Sequence, residues 1–149
     1  MDAATSSANA LLRRALEGAA VESFGLAHQI PYLEFRDDES ADHILSIQTT
    51  VTSNIEFAEM LGLTADEQLL LLFNRVNLCQ VTRVECDEQA NLLLAFDNGV
   101  QLWLAGNPAG EYEPWQIGSR TDLKTGGYLV IATHSGGYAI WDGTLKQQN

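Results

Sequence analysis

Apolar positions recur along this chain with two different periods, and the switches between them mark out its elements. In ANALLRRALEG, Leu11, Leu12, Ala15 and Leu16 share one helical face, Thr5, Ser6 and Ser7 offer capping oxygens ahead of it, and Gly18 suits its end. The spacing predicts a short amphipathic helix over residues 7–17. Three runs rich in Val, Ile, Phe, Tyr and Thr follow, AAVESFGLA, IPYLEFRDD and HILSIQTTV. Turn-forming residues separate them, so they read as antiparallel strands.

The same order then returns. Asn54 can cap IEFAEMLG, and Thr64-Ala65-Asp66-Glu67 is a capping-box pattern that opens QLLLLF; VNLCQVTRVEC, NLLLAF and VQLWLA read as three more strands. Aligning YLEFRDDE with LLLAFDNG sets Phe35 opposite Phe96, with an acidic turn after each, while the helix ends and first strands match at a slightly smaller offset. The expected unit is a helix followed by three strands, occurring twice, over about 7–52 and 64–106. In the hairpin NLLLAF-DNG-VQLWLA, Asn98-Gly99 tolerates the positive φ of a tight turn. Leu92, Leu94 and Phe96 face one way, Val100, Leu102 and Leu104 make another apolar row, and Gln101 and Trp103 share the opposite face.

In GEYEPWQIG, residues 110–118, an extended chain points Glu111, Glu113, Trp115 and Ile117 one way and Tyr112, Pro114 and Gln116 the other. Pro114 cannot donate to a ladder, which predicts an edge strand or one that starts after the proline. Trp115 and Ile117 would then cover the sheet, and Glu113 could reach Arg120 or a turn amide. The functional alternative is an exposed anchor of carboxylates beside aromatics. YLVIAT and YAIWDG flank HSGG as a closing hairpin over 127–142, with apolar residues on both faces of its first strand. The expected fold is therefore α+β: two helix-plus-three-strand repeats and a closing hairpin, forming a bent antiparallel sheet or two packed sheets, in a single domain over 1–149.

Composition adds a sign to this picture. The 149 residues carry 8 Lys and Arg against 20 Asp and Glu, a formal charge of −12. Such a field repels nucleic acid and anionic lipid and favours either plain solubility or fast capture of a basic partner. The first residues lack the basic and apolar blocks of a signal peptide, and no apolar run approaches the roughly 20 residues of a membrane helix, so a cytoplasmic protein is expected. Cys79 and Cys86 lack zinc or redox spacing and are expected to be free thiols.

No GxSxG elbow, phosphate loop or HExxH helix is present, and no catalytic residue, cofactor or metal is assigned. His28, His43 and His134, with Glu34 or Asp142, could in principle ligate a metal, but their spacing favours three unrelated surface or turn histidines. The acidic turn RDDESADH, residues 36–43, is ordinarily a solvated loop; in an inhibitor it and Asp97 would present charge to a partner.

With Phe96, Asp97 and Gly99 in an F-D-x-G hairpin and Glu113 and Trp115 in an E-x-W segment, LLLAFDNGVQLWLAGNPAGEYEPWQIG resembles small bacterial immunity-type proteins of polymorphic toxin systems. The resemblance implies a binding protein, not an enzyme, that occludes a cognate toxin; a basic toxin would suit the charge. The partner-binding candidates are Asp37, Asp38, Glu39, Asp97, Glu111, Tyr112, Glu113 and Trp115. Two alternatives stand beside this expectation. One is a small-molecule or enzymatic site in a cavity between sheets, lined by Trp103, Trp115, Tyr128 and Trp141. The other is a homodimer completed by YLVIATHSGGYAIWD.

Overall fold

A computed structural model describes residues 1–55, 62–106, 112–121 and 123–143. Helix α1 spans Ala3–Leu16, starting earlier than its apolar periodicity alone suggests, because Asp2 rather than a hydroxyl residue is the N-cap and accepts from the Thr5 amide. Leu11, Leu12, Ala15 and Leu16 are all buried. The chain leaves the helix through Gly18, at φ 87°, and enters β1 (Ala20–Ala27). His28 and Gln29, both at positive φ, make a two-residue turn into β2 (Ile30–Arg36); β3 (Asp42–Ile47) and the three-residue β4 (Val51–Ser53) follow. Asn54 does not cap a helix: its amide bridges to Gly99 O and to the Gln101 amide, and the run it was expected to cap falls largely on residues 56–61, outside the described residues.

The capping box at Thr64 forms as expected, with Thr64 and Glu67 exchanging side chain to backbone bonds, and opens α2 (Ala65–Val76). Next come β5 (Val81–Cys86), β6 (Leu92–Phe96), β7 (Gln101–Leu104) and β8 (Trp115–Ser119). The closing hairpin is β9 (Tyr128–Ala132) and β10 (Tyr138–Asp142).

The fold is α+β, with two antiparallel sheets among the described residues, ordered β1-β2-β3-β8-β9-β10 and β4-β7-β6-β5. Isolated bridges from Ala20 to Gln80 and from Val21 to Asn77 join the starts of β1 and β5, so the sheets meet at a bend. Inner positions alternate as period two requires: Leu33, Phe35, Leu45 and Ile47 from the first sheet face Val84, Leu92, Leu94 and Phe96 from the second, within one core closed by both helices. Four of the hairpin turns, starting at Asp37, Asp87, Phe96 and Thr133, share one pattern. The fourth residue of each is at positive φ, and the first residue's amide donates to the carbonyl of the fifth. Ser40, Ala90, Gly99 and Gly136 occupy that fourth position.

β8 starts after Pro114 and is not an edge strand. It lies between β3 and β9. Pro114 stands just outside it and accepts through its carbonyl from the Gln48 amide, so its missing N–H breaks no ladder.

Candidate functional site

Trp115 decides the reading of its segment. It is 1% exposed, donates from Nε1 to Ala90 O at 2.8 Å, and stands 5.8 Å from the Tyr138 ring. A buried indole with its one donor satisfied is a core residue and cannot anchor a partner. Ile117 is buried on the same face, as strand parity requires. Tyr112 and Glu113, by contrast, are exposed, while Glu111 lies outside the described residues. Glu113 does not take Arg120, whose guanidinium pairs with Glu34.

The other candidates lie elsewhere. Asp37 opens the β2–β3 turn, where Oδ1 accepts from the amides of Glu39 and Ala41, both at 2.9 Å; Asp38 and Glu39, which follow it in that turn, are exposed. The turn sits at the end of the sheet where β3 begins and β8 finishes, since His43 is paired with Ser119. Tyr112 and Glu113 precede β8 at its opposite end, about 20 Å away along a six-residue strand. Asp97 belongs to the second sheet. Its backbone amide donates to Gln80 O and its carboxylate accepts from the Gln80 amide at 3.2 Å. Burial pushes the neighbouring Cys79 thiol up, and the Asp97 charge pushes it further. The candidates therefore occupy three separate sites rather than one.

The basic residues nearest the Asp37 turn are already engaged. Arg36 donates to both carboxylate oxygens of Asp42, at 2.9 and 3.3 Å, and pairs with Glu22 at 3.6 Å. The Arg36 hydrogen bond is the main reason that the Asp42 carboxyl lies below its ordinary range. Asp38 and Glu39 make no ion pair among the described residues, and the tip of this turn presents net negative charge.

One titratable array joins Asp37, His43 and Tyr128, which the sequence placed in separate candidate sites. His43 is buried, not a surface or turn histidine: Nδ1 is 2.8 Å from Tyr128 Oη, and Nε2 is 2.9 Å from Asp37 Oδ2. With the imidazole neutral, Nε2–H donates to the carboxylate and Nδ1 accepts from the phenol, so both ring nitrogens of His43 are used. Burial pushes the Tyr128 phenol up, against the pull of Arg14. For Asp37 burial acts upward too, but the His43 bond and the two turn amides outweigh it and hold the carboxyl below its ordinary range. The array ties the acidic turn to the core. Parity carried the signal for it, because HILSI puts His43 on the face of Leu45 and Ile47.

His28 and His134 lie exposed on separate turns, and among the described residues no group of three or more His, Cys, Asp or Glu is placed to hold a metal ion. No helix among the described residues is long and apolar enough to cross a membrane. The four aromatics expected around a cavity do not converge. Trp115 is in the core and Tyr128 is beside His43. Trp103, 39% exposed, and Trp141, 40% exposed, lie on the outer faces of different sheets. Comparison with protein-family models, curated proteins and solved structures finds no match.

Proposed function

We propose that this chain is a non-catalytic protein-binding module of the immunity type, which captures a basic partner, such as a toxin domain, through its acidic turns. The observation that carries the reading is the β2–β3 turn. Asp38 and Glu39 are held exposed by a turn that Asp37 braces and that the His43–Tyr128 pair roots in the core. A rigid loop loses little entropy on binding, and clustered carboxylates on a chain of charge −12 accelerate encounter with a positive surface. The F-D-x-G and E-x-W resemblance supports the same reading through Asp97 and Glu113, both exposed.

The test is co-purification with the products of neighbouring genes, followed by titration of any captured protein at low and high salt. Binding that weakens with salt, and falls at least tenfold in the charge-reversed variant Asp38→Lys/Glu39→Lys, supports the proposal. A partner indifferent to both, or no basic partner, refutes it.

A further inference from the structure

Sixty positions separate two equivalent junctions in this chain. After α1 the backbone turns through Gly18 at φ 87°, and after α2 through Leu78 at φ 66°. The Gly18 amide donates to Val81 O, and the Leu78 amide donates to Val21 O; the Val21 amide donates to Cys79 O, and the Val81 amide to Ala19 O. Each bond becomes its counterpart when the two halves are exchanged. The strands continue the relation, for β1 shifts register between Val21 and Ser23, with Val21 opposite Phe35, and β5 shifts between Val81 and Arg83, with Val81 opposite Phe96.

The fourth strands of the halves are exchanged. β4 leaves the first half to pair with β7, and β8 leaves the second to pair with β3. Their registers correspond residue for residue: Val51, Thr52 and Ser53 oppose Leu104, Trp103 and Leu102, while Trp115, Gln116 and Ile117 oppose Ile47, Ser46 and Leu45. The flanking bonds correspond as well, from Ala105 N to Thr50 O and from Gln48 N to Pro114 O.

Beyond these strands the halves differ. The outer edge of β8 carries β9, then β10, and α1 packs on β10 with Arg14 3.5 Å from Asp142. The outer edge of β4 ends its sheet among the described residues. Among the described residues, a groove of about 940 Å³ lies between that edge and α2, walled by Val51, Ser53 and Ile55 on one side and Leu69 and Leu72 on the other. It occupies the place that β9 and β10 fill in the other half.

We infer that this groove accepts an extended segment of a partner protein, added antiparallel to β4 as an extra strand in the place that β9 takes beside β8. The edge has the groups for it. Opposed residues in an antiparallel pair alternate between bonded and non-bonded, and Ala105 N to Thr50 O fixes the phase: Thr52 bonds to β7, while the amides and carbonyls of Val51 and Ser53 point outward. Those are the counterparts of Trp115 and Ile117, the β8 residues that face β9. The chemistry of the occupant follows from β9, where Tyr128, Val130 and Ala132 are buried and Leu129 and Ile131 are half-exposed. It is a strand with apolar side chains at alternate positions, neutral or basic overall to suit the charge of −12. A second copy of this acidic chain is disfavoured by that same charge.

The inference rests on the chain being a protein-binding module, but not on a basic toxin or the acidic turn, so the two readings fail separately. The probe is a fluorescein-labelled peptide of the closing hairpin, YLVIATHSGGYAIWD, with two added lysines, titrated into the full chain and followed by anisotropy. Saturable binding is expected, with none for a scrambled peptide bearing the same lysines. Ser53→Pro removes one outward amide without touching the β7 ladder and should weaken binding at least tenfold relative to Ser53→Ala, which loses the same Oγ bonds with Ile55 but keeps the amide. Leu69→Asp, on the opposite wall, should do the same. Hydrogen exchange at Val51 and Ser53 should slow when the peptide is bound. No saturable binding up to about 1 mM, binding that both variants leave intact, or a dimer of the free chain that Ser53→Pro dissociates would each overturn the inference.

Discussion

Asn9 is the polar residue on which the docking of α1 depends. It is 2% exposed on the apolar face of the helix, and its side-chain amide pairs with both backbone polar groups of one residue of β5: Nδ2 donates to Cys86 O at 2.9 Å, and Oδ1 accepts from Cys86 N at 2.8 Å. Replacing it with Leu fills much of the same space, keeps water out and leaves both backbone groups unpaired. A buried group stripped of its partner costs about 1–3 kcal/mol, so the two together cost about 2–6 kcal/mol. The gain in helix propensity from Asn to Leu returns at most about 0.5 kcal/mol, and apolar burial of the new side chain a further amount of order 1 kcal/mol. The expected net loss is about 0.5–4.5 kcal/mol, set against the roughly 5–15 kcal/mol that holds a domain folded. Urea unfolding should show it as a lower midpoint at unchanged m-value. Asn9→Asp adds a check of sign. It keeps the acceptor but turns a second oxygen towards Cys86 O, which only a protonated carboxyl can satisfy. Its folded pKa is therefore raised; stability is present below the unfolded value and lost as pH rises through the folded one. The deficit of Asn9→Asp should widen from pH 4 to pH 7, whereas that of Asn9→Leu should not. A loss below about 0.5 kcal/mol for Asn9→Leu would show that the clamp does not hold α1.

Two further outcomes follow from neighbouring details. Gly106 has no room for a side chain, because an added Cβ would stand 1.8 Å from Gln89 O; Gly106→Ala should cost more than about 2 kcal/mol in urea unfolding or shift the turn that holds Trp115. The Asp37 carboxyl has a lowered folded pKa, so its contribution is complete above the unfolded value of about 4 and disappears as pH falls through the folded one. Urea midpoints of the wild type and Asp37→Asn should accordingly differ most above about pH 5 and converge in acid.

How much of this was legible in the sequence depends on the range of the contact. Local features could be read: the Thr64 capping box, the exit through Gly18, the alternation of Leu92, Leu94 and Phe96, and the exposure of Asp38 and Glu39 each depend on a few adjacent residues. The orientation of His43 was likewise carried by parity with Leu45. Its partner Tyr128 is 85 positions away, and nothing in HILSI or YLVIA names the other. Asn9 was not read at all: it lies on the apolar stripe of α1, and its partner is 77 positions on. Pro114 left two readings, an edge strand or a strand that starts after it, and the second is found, since a proline excludes only the ladder bond of its own nitrogen and says nothing about the strand that begins one residue later.

The least legible feature, the exchange of β4 and β8, also governs how the molecule holds together. Neither half completes its sheet with its own fourth strand: the outer edge of β3 is closed by residues 115–119, and that of β7 by residues 51–53. A local repeat of helix and three strands therefore generates a non-local fold, in which each half supplies the strand that shields the other's edge from aggregation. Edge closure couples the halves, so loss of one exposes the other and unfolding should be all-or-none. The same exchange accounts for the asymmetry at the groove. The strand received by the first half brings a hairpin behind it that fills the space under α1, whereas the strand received by the second half is three residues long and the next element among the described residues is α2. The asymmetry of the molecule follows from what comes after each exchanged strand, not from the repeated unit itself.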